Sequence, residues 1–384
     1  MLALRLGRGA HPLALLRRLL VVAASAGVGF LLLCTLGWAM NHPVGSLPRL
    51  LWCLIPLAAT VQFAVAVART DPGTRPRTGL SAVGLGPARL TTLAATSTAV
   101  SCTVGSAVAL LFFMYLRRDL TGTLFAGQAA DLLARNQPLP LAAVLTLLAL
   151  VPTFATAATG LVMRQHTRRT ARPPESTDPA PAPTGLPWGV ALTTAGLAIE
   201  TYASRGGSGN GSTPPLPGRF DGSSAGVLAG WSLTAVGLAL AGPGITYLCG
   251  RLLQTMRPGA IRLLAGRTLM AEARGIGRPL GVVCAVLSGV FAANSLYGPR
   301  DEPPFGPLTS LGAALVIGCT AATLLTAAVE TRQARLPTTT TLHHLGAHAG
   351  LLRTAAAVRA TAILAIFAPL TWMVAALAAV PLTT

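Results

Sequence analysis

Nine apolar runs constrain this chain more than any other feature. They cover about 19–40, 50–68, 93–115, 139–163, 188–202, 225–249, 280–297, 308–328 and 358–380, and most approach the ~20 residues that a helix needs to cross a bilayer. Only 10% of the 384 residues are charged, while 52% are hydrophobic, a balance too apolar for a soluble domain of this length. The expected fold is an all-α polytopic transmembrane helical bundle of about nine spans, with ten as the alternative. The run at 19–40 is longer than a signal-peptide core and no A-x-A site follows it, so it is expected to stay as an anchor.

The 29 basic residues are all Arg, against 11 acidic residues, for a net charge of +18. Such a balance can signal nucleic acid, but here the arginines flank apolar runs, and membrane topology accounts for them more simply. With the N-terminus in the cytoplasm, 22 of the 29 fall in inner segments and 7 in outer ones. That bias supports a multi-pass protein of the cell membrane, with the C-terminus outside if there are nine spans. Membrane lipids are the expected surroundings of the basic segments. The stretch 251–279, in which arginine alternates with leucine and alanine, is expected to form an amphipathic helix along the inner leaflet.

Lysine is absent, which excludes a Walker A sequence, a Schiff-base lysine and a Ser-Lys pair. The chain is not expected to be an enzyme: no HExxH, no paired intramembrane aspartates and no serine-activating histidine occur in it. Cys34, Cys53, Cys102, Cys249, Cys284 and Cys319 stand singly, never as CxxC, and read as small buried hydrophobes. Ser106 and Ser288 read as helix-packing residues. His344 and His348 are four apart, as metal ligands on a helix can be, but no acid or thiol adjoins them. The TTTT before them and the Gly after point to a loop, in which His343, His344 and His348 make ordinary polar contacts. No cofactor is expected. No run carries a charge near its centre, which argues against ion-coupled secondary transport. Glu200, near the outer end of the short run at 188–202, is expected to be solvated.

Two inner loops are left as the specific feature. RTDPGTRPRTGLSAVGLGPARL, Arg69–Leu90, and RQARLPTTTTLHHLGAHAGLL, Arg332–Leu352, lie 260 positions apart between apolar runs. At that offset Arg75 falls on Arg335, Leu85 on Leu345 and Gly86 on Gly346. An internal duplication explains the recurrence. It divides the chain into a first four-span module (1–165), a Pro-rich cytoplasmic linker (166–187), two central spans with a flexible outer loop (188–250), and a basic inner segment with a shortened three-span module (251–384).

A basic N-terminal segment, two spans, an R…L-G loop and an Ala/Leu-rich helix together resemble the FtsX-like permease family of ABC transporters. LLAGRTLMAEARGIGRPLGVVCAVL is similar to the run opening the second module of its ten-span actinobacterial members. The resemblance implies a permease subunit driven by a separate cytoplasmic ATPase, exporting or mechanically handling a hydrophobic or peptide-like substrate. It implies coupling elements at Gly86 and Gly346, beside Leu85 and Leu345, with Arg75, Arg89, Arg335 and Arg353 as contacts. The two modules would form a pseudo-dimer within one chain, or each chain would pair in a dimer. The second module here has three spans where the family has four, and no large outer domain is present. A non-transporting anchor or sensor and an ion-coupled secondary transporter are the alternatives.

Overall fold

The computed structural model describes residues 12–41, 50–70, 87–119, 140–170, 183–206, 225–255, 259–297, 307–344 and 348–383. Every extended element among them is an α-helix: α1 (Pro12–Asn41), α2 (Leu54–Thr70), α3 (Pro87–Asp119), α4 (Leu141–Thr170), α5 (Gly185–Gly206), α6 (Ala225–Thr255), α7 (Ala260–Tyr297), α8 (Pro307–His344) and α9 (Ala349–Thr383). Eight of the nine described helices contain a stretch long and apolar enough to cross a membrane, α5 being the exception. The chain is thus an all-α, multi-pass helical bundle. It divides into two compact units, one of Met1–Glu175 with Phe305–Thr323, the other of Ser176–Pro304 with Leu324–Thr384.

In the first unit α1 is the central rod. Val28, Leu31 and Leu32 pack with Phe63 of α2, Cys102 of α3 and Val151 of α4 in one apolar cluster. Towards the Asn41 end, Leu33 and Cys34 meet Phe113, Val144 and Leu148. A Cβ on Gly105 would lie 2.6 Å from the Val22 carbonyl oxygen, so α1 and α3 touch backbone to backbone there. Hydroxyls stitch across the contacts: Ser25 donates to the Cys102 carbonyl at 2.9 Å and Ser106 to that of Leu148 at 3.2 Å. Ser106 is therefore the packing residue expected of it. Ser288 bonds within its own helix, to Ala285 at 2.9 Å.

The second unit is organised by α6. Along α5, Gly189 abuts Ala241, Thr193 abuts Gly237, Gly196 abuts Thr234 and Glu200 abuts Gly230, a strict antiparallel register. On its other side, Gly250 meets Gly266 of α7, Gly242 meets Gly277, and Leu238 meets Gly281, again antiparallel. Helix α9 runs parallel to α7 at an offset of 87 positions, with Thr371 donating to Cys284 at 3.1 Å. Leu238, Cys284, Phe367 and Val374 close the core. Lipid tails are as apolar as leucine, so helices in a bilayer associate through close packing, which small residues permit.

Three expectations need correction. The basic stretch 251–279 is not a separate surface helix: its residues from Ala260 onward continue into the following span as one 38-residue helix, α7. Glycines on one face of α7 lock it against α6, and tight packing outweighs the arginines on the opposite face. The threonine run before the histidines is helical, not a loop, because α8 extends to His344. Threonine hydroxyls can fold back onto the preceding turn, as Thr340 does to the Leu336 carbonyl at 3.1 Å. The Pro-rich linker begins later than expected, since α4 continues to Thr170.

Substituting Gly242 with Val should lower thermal stability in detergent by about 1–3 kcal/mol, since a Cβ there falls 2.1 Å from the Gly277 carbonyl oxygen. Gly289→Val is the control, for nothing lies within 4 Å of a Cβ at Gly289. Equal melting of the two variants would contradict the register given above.

Candidate functional site

Two groups of polar side chains sit inside the second unit, one towards each end of α6. The first centres on Glu272 of α7. Arg335 of α8 grips its carboxylate as a fork, Nε to Oε1 and Nη2 to Oε2, the geometry that makes arginine–carboxylate pairs strong. Arg359 of α9 brings Nη1 to 3.9 Å from Glu272 Oε2 and donates to Thr268 Oγ1 at 3.3 Å. Thr268 turns its hydroxyl back to the Leu264 and Ala265 carbonyls, each at 2.9 Å, leaving a lone pair for the guanidinium. Side chains of Glu272 and Arg359 are each 15% exposed, that of Arg335 27%. One acid thus ties three helices together, and the cluster keeps a formal charge of +1.

The α6–α7 register sets its depth. Gly266 against Gly250 and Gly277 against Gly242 put Glu272 level with Thr246. Arg251 is the first charged residue after the apolar run of α6, so the cluster lies about 8 Å inside that level at 1.5 Å per residue. Charged side chains do therefore lie within candidate spans, which the sequence did not lead us to expect. Glu272 falls in Ala260–Ala292, Arg335 in Leu308–Leu336 and Arg359 in Gly350–Ala379. An unpaired charge there would cost several kcal/mol, and mutual pairing offsets that cost.

The second group lies at the other end of α6. Glu200 is fully buried, not solvated as expected, because the antiparallel packing of α5 on α6 presses it against Gly230. Trp231 donates its indole N–H to Glu200 Oε1. Glu200 Oε2 and Thr234 Oγ1 are buried without a hydrogen-bond partner among the described residues. Packing along α6 also brings α5, too polar to be a span by composition alone, to the depth of the span Ala229–Thr255.

Of the loop residues singled out in the sequence, Arg75, Leu85, Gly86, Leu345 and Gly346 lie outside the described residues, as does the side chain of His343. Arg89, in the first turn of α3, and Arg353, in the first turns of α9, are exposed. Arg335 is half-buried on Glu272. His344 is the last residue of α8, while His348 precedes α9 and accepts at its carbonyl from Leu351 N at 3.0 Å. The two therefore do not share a helix. All six cysteines are reduced and buried, the packing role read from their isolation.

Glu272 carried a signal that composition concealed. It stands three residues after Leu269 and seven after Ala265, both buried, so it belongs to the inward face of a helix whose outward face is basic. Its partners are 63 and 87 positions away and could not be guessed from spacing.

Chain architecture and charge placement define a multi-pass integral membrane protein. No protein-family model matches it, and neither a curated protein nor a solved structure shows significant similarity to it.

Glu272→Gln should destabilise the protein by about 2 kcal/mol, less than the loss of a fully buried ion pair because Arg335 is partly exposed. A double-mutant cycle with Arg335→Gln should return a coupling of about 1–2 kcal/mol, and additive losses would exclude the pairing. At the other site, Trp231→Phe orphans the second Glu200 oxygen and should cost about 1–3 kcal/mol. Glu200→Gln preserves the acceptor and should cost less in the same thermal-melting assay.

Proposed function

We propose that the protein is the membrane-spanning permease subunit of an ABC transporter. A separate ATPase supplies hydrolysis, and the chain converts it into export or mechanical handling of a hydrophobic or peptide-like substrate. What supports this assignment is the cross-brace at Glu272, where Arg335 and Arg359 join α8 and α9 to α7 at one level. The ends of α6, α7 and α9 nearest that brace carry Arg251, Arg262, Arg267 and Arg353, and the bias of arginine towards the cytoplasmic face assigns them to the cytoplasm. A load applied there by a partner is passed to the spans as movement of a tied group of helices rather than of one. Arg335 then serves as the brace, while Arg89 and Arg353 remain exposed for a partner. Gly86 and Gly346 mark the coupling elements. With no lysine in the chain, the Walker A sequence belongs to the partner.

One observation favours a second reading, ion-coupled secondary transport. A buried carboxylate with an unpartnered oxygen, as at Glu200, is a group that such transporters use. In that case proteoliposomes would show substrate movement driven by an ion gradient without ATP, and Glu200→Gln would abolish it.

Affinity purification in mild detergent tests the first reading, which requires a stoichiometric Walker A protein to co-elute. Its consistent absence would leave an anchor or sensor. Within such a complex, Glu272→Gln or bulky residues at Gly86 and Gly346 should preserve insertion and ATPase binding while lowering substrate-stimulated hydrolysis severalfold. Undiminished stimulation in all three would remove the coupling role.

A further inference from the structure

We infer that the exposed face of α7 is a binding surface for the phosphate headgroups of anionic phospholipids. Arg267, Arg274 and Arg278 stand at i, i+7 and i+11, which places them on one helix face, and all three are exposed. The opposite face, with Ala265, Leu269, Ala273 and Gly277, is the one buried against neighbouring helices. The α6–α7 contacts fix where the stripe runs. Gly266 against Gly250 puts Arg267 level with Arg251, at the end of the apolar run of α6. Gly277 against Gly242 and Gly281 against Leu238 put Arg278 about 15 Å further in, level with the middle of that run. A basic stripe thus starts where lipid headgroups lie and descends into the apolar layer.

Helices α6 to α9 carry two acidic residues, Glu272 and Glu330 of α8, against nine arginines. Glu272 is the only acidic residue within α6, α7 and α9, and both of its oxygens are taken by Arg335. With Arg359 the bordering cluster adds a further positive charge. An arginine facing lipid tails at this depth costs a few kcal/mol, and it recovers that cost by drawing water and phosphate inward or by snorkelling towards the interface. Guanidinium groups take phosphate in the same forked geometry that they use on carboxylates. The stripe is continuous with the headgroup level, so phospholipid already present there at high local concentration is the occupant, and its anionic members are favoured by charge. This surface would hold lipid whether or not an ATPase partner exists.

The test uses the full chain purified in mild detergent, with phosphatidylglycerol, phosphatidylcholine and inorganic phosphate as probes. Native mass spectrometry should show phosphatidylglycerol retained in preference to phosphatidylcholine, and inorganic phosphate should not displace it at equal concentration. The triple variant Arg267→Gln, Arg274→Gln, Arg278→Gln should bind phosphatidylglycerol ~100-fold more weakly, at about a factor of five for each basic side chain. Arg164→Gln, on α4, should bind like the wild type. Should the triple variant fail to accumulate, a photoactivatable phosphatidylglycerol on the wild-type chain maps the surface directly, with adducts expected between Leu263 and Gly281. Equal retention of the two lipids, displacement by inorganic phosphate, undiminished binding by the triple variant, adducts confined to other helices, or an acidic partner chain cross-linked along the stripe would each overturn the assignment.

Discussion

Backbone-to-backbone contact through glycine is the constraint on which the second unit depends. In water, apolar side chains drive helices together; in lipid that drive is absent, and dispersion forces at short range have to replace it. Gly189, Gly196, Gly230 and Gly237 let α5 lie directly on α6, while Gly242, Gly250, Gly266, Gly277 and Gly281 do the same for α6 and α7. Such contacts allow no sliding, since a shift by one residue would drive a Cβ into a carbonyl. The helices therefore have a fixed register, and that register determines the depth of every polar group they carry.

Depth in turn decides how each charge is satisfied. Glu272 could not stand alone where α7 places it, and two helices remote in sequence each supply a guanidinium. Glu200, held by α5 at the opposite end, is met on one oxygen only, by Trp231. One acid is fully engaged and part of the mechanical frame, whereas the other keeps unused capacity. A buried polar group with an unmet bond is costly, which is why Glu200, the one fully buried carboxylate among the described residues, stands out in this unit.

Much of this was legible in the sequence. Long apolar runs located eight of the spans, several of them short at one end and the one in α7 by 20 residues, and the class followed from their number and length. Solitary cysteines and the serine at position 106 were legible as packing residues because nothing around them offered chemistry. What escaped were features set by tertiary register. The arginines of the stretch 251–279 suggested a helix lying flat on the membrane, and only the glycine ladder facing α6 shows that from Ala260 the helix runs on into its span. Arg335 read as a loop residue because it falls between two apolar runs, yet α8 carries it into contact with Glu272. Glu200 looked exposed because its own run was short; burial came from the neighbour packed on it.

The sealed sulfur atoms have a separate consequence. With every thiol enclosed in the helix contacts and none in a disulfide, the folded polypeptide presents no cysteine to a maleimide. A single engineered cysteine at any exposed position would report from that position alone, against an unreactive background.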